Sequence, residues 1–221
     1  MIVIFIVTLA ATLLIQMYLR NTYARWQQQP AASGLSGAET ARTILRANGL
    51  DHVAVEEVPG QLTDHYDPTK QVVRLSTNNY RTASVAAHAV AAHEVGHAIQ
   101  HAKAYGPLKV RSALVPVANL GARFAPWLII GGFMLSFTGL IQVGVILFGA
   151  AVLFQVVTLP VEYDASRRAG QQLQALGIAT TSEVAGTKQV LNAAALTYVA
   201  AAATSVMYLL YYISMFMGSR D

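Results

Sequence analysis

The sequence contains no cysteine. A disulfide framework and a thiolate metal site are therefore both excluded, and any bound zinc must be held by histidine and carboxylate. Charge is also scarce. Only 12% of the 221 residues are charged, against about 25% in an ordinary soluble domain. The deficit is concentrated in long apolar runs, which is the pattern of an integral membrane protein. The formal charge of +4 is not gathered into a basic cluster, and no aromatic RNA-binding motif accompanies it. Nucleic acid is not expected as a partner, and the positive charge reads instead as a topology signal.

The first apolar run covers residues 2–19. At ~1.5 Å rise per residue it reaches ~27 Å, enough to cross a bilayer core. No Lys or Arg precedes it, so a retained anchor is expected rather than a cleaved leader. Two further runs, 126–140 and 141–159, are separated by a turn expected near Thr138-Gly139 and form a transmembrane hairpin. A last span is expected over 193–217, approached by a polar stretch in which Thr181-Ser182-Glu183 starts a helix. Residues 108–123 mix Lys109, Arg111 and Arg123 with apolar side chains and suit a surface amphipathic helix, or else the basic flank of the next span. Four spans put fourteen of the fifteen basic residues on one side, with Arg220 alone on the other. Lys and Arg accumulate on the cytoplasmic side.

Between the spans, residues 20–35 read as a linker. Ser36 and Glu39 form a capping box that opens a helix over 37–48, and Gly49 ends it. Residues 53–58 and 71–75 read as strands paired as a hairpin with a long loop. The edge of the second could bind an extended substrate. A helix follows over about 83–104, stopped by Gly106-Pro107. The expected fold is thus a mainly α membrane protein with about four transmembrane helices and a small cytoplasmic α+β domain with a β-hairpin. Its parts are span 1–20, cytoplasmic domain 21–123, hairpin 124–161, cytoplasmic segment 162–192 and span 193–217.

The helix over 83–104 contains His93-Glu94-Val95-Gly96-His97. Side chains four apart on a helix share a face, so both imidazoles can reach one metal ion. Glu94 lies beside them to move a proton. His101 is four residues further on. Eight residues place it ~12 Å along the axis from His93, too far for one ion with His–zinc bonds of about 2 Å. A catalytic zinc needs a third protein ligand and an open position. Glu162 is the best candidate, because a carboxylate at a membrane boundary is costly without a cationic partner. Asp164 is the reserve, and pairing of Glu162 with Arg167 or Arg168 is the alternative.

The blocks Asp64-His65-Tyr66-Asp67-Pro68, residues 91–100, 159–166 and 190–199 resemble those of the YugP-like membrane zinc metallopeptidases, which have a gluzincin-type H-E-x-x-H with a distal Glu ligand. The likeness covers almost the whole chain. It implies a bacterial inner-membrane protein in which His93, His97 and Glu162 bind one zinc and Glu94 is catalytic. A more distant likeness is to the heat-shock membrane protease and CAAX prenyl protease group. Its motif commonly has Asp four residues after the ligand Glu, where this chain has Ser166.

The expected activity is that of a membrane-bound endopeptidase facing the cytoplasm and acting on a peptide or membrane-protein substrate. His65, Tyr66 and Tyr198 are candidates for oxyanion or substrate binding. The alternative is a non-proteolytic adaptor that carries a structural zinc and binds a membrane-protein partner.

Overall fold

The computed structural model describes residues 2–218; Arg220, on which one arm of the charge argument rests, lies outside them. The fold is mainly helical. Among the described residues, the seven helices are α1 (Ile2–Gln27), α2 (Gly37–Ala47), α3 (Thr77–Arg81), α4 (Val85–Ala102), α5 (Gly106–Met134), α6 (Thr138–Ala175) and α7 (Thr181–Gly218). Three short strands are β1 (Ala54–Val58), β2 (His65–Asp67) and β3 (Val72–Ser76). Among the described residues, α1, α5, α6 and α7 are long and apolar enough to cross a membrane. The chain divides into two compact units. One comprises Met1–Ile15, Gly106–Pro160 and Thr197–Asp221, the other Gln16–Tyr105 and Val161–Leu196.

In the first unit, helix packing is close enough to need glycine. A Cβ on Gly121 would lie 2.2 Å from the carbonyl oxygen of Leu147, and one on Gly132 would lie 2.9 Å from the Ile141 nitrogen. Small residues of this kind let helix backbones approach in a bilayer, where packing rather than hydrophobic exclusion drives association. Trp127, Met134, Leu135 and Ile146 are exposed, as lipid-facing side chains should be.

The helix boundaries differ from several sequence expectations. The segment 108–123 is no separate surface helix, because α5 runs unbroken from Gly106 through Met134. The Gly106-Pro107 pair begins α5 rather than stopping α4. Proline tolerates the first turn of a helix, where its missing N–H costs no hydrogen bond. The turn between the hairpin spans falls at 135–137, with Ser136 at φ 51°. The linker is also shorter than expected. Arg20–Gln27 contains no Gly or Pro, α1 continues through it, and Tyr23 and Trp26 pack against the core of the second unit.

The core of that second unit joins Ile44 and Leu45 of α2, Val73 and Leu75 of β3, the alanine-rich face of α4, Leu173 of α6 and Val190 of α7. The expected capping box is present. Ser36 accepts from the Glu39 backbone, and Glu39 reaches back to the Ser36 N–H at 2.8 Å. Gly49 takes φ 69° just beyond the helix, a left-handed position that glycine occupies without steric cost. The expected start of α7 is also present, with the Glu183 carboxylate accepting from the Thr180 N–H at 2.7 Å.

The strand pairing corrects the sequence reading. β1 and β3 are parallel, not a hairpin. The hairpin is formed by β2 and β3, with Tyr66 opposite Val73. Asp67 tightens its turn by accepting from the N–H groups of Thr69 (2.9 Å) and Lys70 (3.1 Å). Once β2 holds one edge of β3, β1 can join only at the other. The order β1-β3-β2 leaves β3 central, so its edge is not free to take a peptide. Arg74 of β3 fastens both neighbours, to Glu56 at 3.0 Å and Asp67 at 3.1 Å.

Candidate metal centre

The candidate metal-ligating side chains His93, His97 and Glu162 belong to the second unit. Helix α4 is capped by Ser84, whose hydroxyl accepts from the Ala87 N–H at 3.1 Å, and it runs unbroken to Ala102. His93 and His97 therefore project from one face with ring centroids 4.8 Å apart. The α6 backbone comes up against this face at Gly96. A Cβ there would lie 2.6 Å from the carbonyl oxygen of Ala165. Glycine is required because the helices touch backbone to backbone.

That approach delivers Glu162. Its Oε2 lies 3.2 Å from His93 Nε2 and 3.5 Å from His97 Nε2. Ligand atoms of His93, His97 and Glu162 all lie within 4.8 Å of one another. Glu162 is only 2% exposed, and a carboxylate so buried needs cationic compensation. Two imidazole nitrogens and one carboxylate oxygen suit zinc, and three protein ligands leave a fourth position open. The donor set fits the ion on chemistry as well as spacing.

Each imidazole is held from behind. His93 Nδ1 is 3.1 Å from Ser166 Oγ, and His97 Nδ1 is 3.0 Å from Gln100 Oε1. Partners on the distal nitrogen orient a metal-ligating ring and are part of what makes a site bind. Ser166 thus touches His93 from four positions after Glu162 on α6.

Glu94 is buried next to the group, 8% exposed. Burial pushes its carboxyl up from the ordinary carboxylate range. The charges of Asp64 and Glu162 add to this, against the opposite pull of His93 and His97. Burial works to lower His97, but its hydrogen bond and charge interaction with Glu162 outweigh it and leave the imidazole raised. Asp64 is itself fixed, accepting from the Ser76 N–H at 2.7 Å and from Asn79 Nδ2 at 2.9 Å.

Other sequence candidates in this unit have partners of their own. Asp164 is directed to Gln100, Arg167 and Arg168. The two arginines thereby pair with Asp164 instead of Glu162. Tyr66 hydrogen-bonds His101 Nδ1 at 2.9 Å. His65 is exposed, with Nδ1–H donating to the Thr63 carbonyl at 2.8 Å. Tyr198 lies on α7 within the first unit. Sequence reasoning gave Gln100 no role. Its one signal is position, a long polar side chain three residues after His97 in an alanine-rich helix.

No solved structure matches the chain. It is 49% identical over 206 residues to the "Putative membrane protease YugP" of Bacillus subtilis (strain 168), an alignment covering 93% of this chain and 92% of that protein. With four apolar helices besides, this is a membrane protein. A family match extends over residues 1–217, and the chain belongs to the family described as "Putative neutral zinc metallopeptidase", whose zinc the His93, His97 and Glu162 group is suited to hold.

Proposed function

We propose that this protein is a membrane-bound zinc endopeptidase that hydrolyses peptide bonds in peptide or membrane-protein substrates. The observation that carries the reading is the convergence of His93, His97 and Glu162 with a buried carboxylic side chain, Glu94, beside them. Zinc, when bound, supplies Lewis acidity that polarises a carbonyl and acidifies water. Glu94 accepts the proton of the attacking water on its carboxylate and passes it to the departing amine. His65, Tyr66 and Tyr198 remain the candidates for holding the oxyanion or the substrate. A structural zinc in an adaptor would be expected to take four protein ligands. The group among the described residues offers three, which favours catalysis.

The purified full chain should cleave an unstructured protein substrate only with metal present, and cleavage should stop with chelator and return with zinc. A metal-loaded preparation that cleaves nothing in a broad peptide library would favour the adaptor.

The proposed setting is the bacterial inner membrane. Spans lie within 1–20, 124–161 and 193–217, and the metallopeptidase domain 21–123 and segment 162–192 face the cytoplasm. The distribution of Lys and Arg supports this orientation. Reporter fusions after Gly60 and Gly177 should both report cytoplasm. An external signal from either would overturn the orientation.

A further inference from the structure

The two imidazoles of the candidate metal centre are held with unequal stringency. Ser166, behind His93, is a hydroxyl that rotates and can donate or accept. Gln100, behind His97, has no such freedom. It is fully buried, and its Nε2 donates both to the Val161 carbonyl at 2.8 Å and to Asp164 Oδ2 at 2.9 Å. A carboxamide oxygen only accepts and its nitrogen only donates. Turning the amide over would set its oxygen against two acceptors, so Oε1 is committed to His97. The ring nitrogen it meets, Nδ1 at 3.0 Å, must then carry the proton. That leaves Nε2, which faces Glu162, as the nitrogen available to a metal ion.

Asp164 is what makes this arrangement rigid. Its side chain is 7% exposed and paired with Arg167 and, at 2.6 Å, with Arg168. These partners lie three and four positions on along α6, where helical geometry brings side chains together. We propose that Asp164 is a positioning residue for the metal centre: through Gln100, it fixes the tautomer and ring orientation of His97. The inference rests on the reading of His93, His97 and Glu162 as zinc ligands. It gives Asp164 a role distinct from that of a reserve ligand.

A double-mutant cycle on the full chain in detergent tests it. Zinc affinity is measured by competition with a chromophoric chelator for the parent, Asp164→Ala, Gln100→Leu and the double variant. Each single change should weaken zinc binding about 10–100-fold, the usual cost of losing such an orienting partner. The double variant should be no weaker than Gln100→Leu alone, and Asp164→Asn, which keeps an acceptor oxygen, should recover most of the loss. Additive losses would overturn the proposal, because Asp164 would then act by another route. A second readout does not need Asp164→Ala to fold. In the imidazole ¹⁵N spectrum of the zinc-free parent, the neutral His97 ring should carry its proton on Nδ1, and Gln100→Leu should abolish that single tautomer. A His97 signal unmoved by Gln100→Leu would also overturn it. A parent that binds no zinc in the same titration would instead contradict the metal reading on which the relay depends.

Discussion

The two compact units use the same chain chemistry in opposite ways. Every acidic residue among the described ones falls in the unit formed by Gln16–Tyr105 and Val161–Leu196. There, several carboxylates are buried and matched: Glu162 to two imidazoles, Asp164 to two arginines, Glu183 to the Thr180 cap. The other unit exposes Trp127, Leu135 and Ile146 and has glycines where backbones meet. Its tolerances should differ accordingly. A polar unit fails when one partner of a buried pair is removed, because the other is left uncompensated. An apolar unit surrounded by lipid loses little when one exposed side chain changes.

The largest expected effect belongs to Glu94→Gln. The amide keeps the shape but cannot accept a proton, so turnover should fall about 10²–10⁴-fold while zinc is retained. Turnover assayed alongside metal content checks this, and a metal-bound variant at the parental rate would remove Glu94 from the proton-transfer role.

Gly96→Val comes next. Its Cβ would sit 2.6 Å from the Ala165 oxygen, forcing α4 and α6 apart. Overpacking of this kind costs about 1–3 kcal/mol, and here it also separates Glu162 from the imidazoles. Denaturant melts should show the loss of stability, and chelator competition should show weaker zinc binding. Unchanged binding would mean that the close approach at Gly96 is not what delivers the third ligand.

A smaller effect should appear with pH. His88 is buried, and its Nε2–H donates to the Leu35 carbonyl at 2.6 Å. Burial lowers its pKa, while the Leu35 carbonyl and the Glu183 charge oppose this. The folded state therefore favours the neutral ring. The associated stability is complete above the unfolded value of about 6.5 and is lost as pH falls through it towards the lower folded value. Melts of the metal-free protein between pH 8 and pH 5 should decline more steeply for the parent than for His88→Gln. Parallel curves would show that His88 does not contribute to the slope.

The smallest effect is expected in the other unit. Ile146→Ala removes a side chain that is 72% exposed. Zinc affinity should be unchanged and stability should move by no more than about 0.5 kcal/mol. A loss as large as that of Gly96→Val would erase the contrast between the units.

The parts of this fold legible in the sequence were those with a short-range cause. The Ser36–Glu39 box, the glycine at 49, the helical run around His93 and the apolar stretches all follow from spacing along a few turns. The parallel partner of β3 was not legible. It depends on β2, three residues long, whose place is set by the Asp67 turn rather than by any periodic pattern. The helical extension to Gln27 was missed because it depends on Tyr23 and Trp26 packing against residues distant in sequence. At the site, the paired histidines declared themselves by their four-residue spacing. Glu162 could be nominated from the cost of a lone carboxylate at a membrane boundary. Gln100 could not, because its role comes from Val161 and Asp164 on another helix, and a single buried glutamine carries no pattern.

The central claim is that His93, His97 and Glu162 together hold one zinc. Metal analysis of three purified proteins tests it most directly: the parent, Glu94→Gln and Glu162→Ala, each exchanged against the same buffered zinc. The account predicts one zinc per chain in the parent and in Glu94→Gln, and none retained in Glu162→Ala. A Glu162→Ala protein that keeps its zinc at parental affinity would contradict the account.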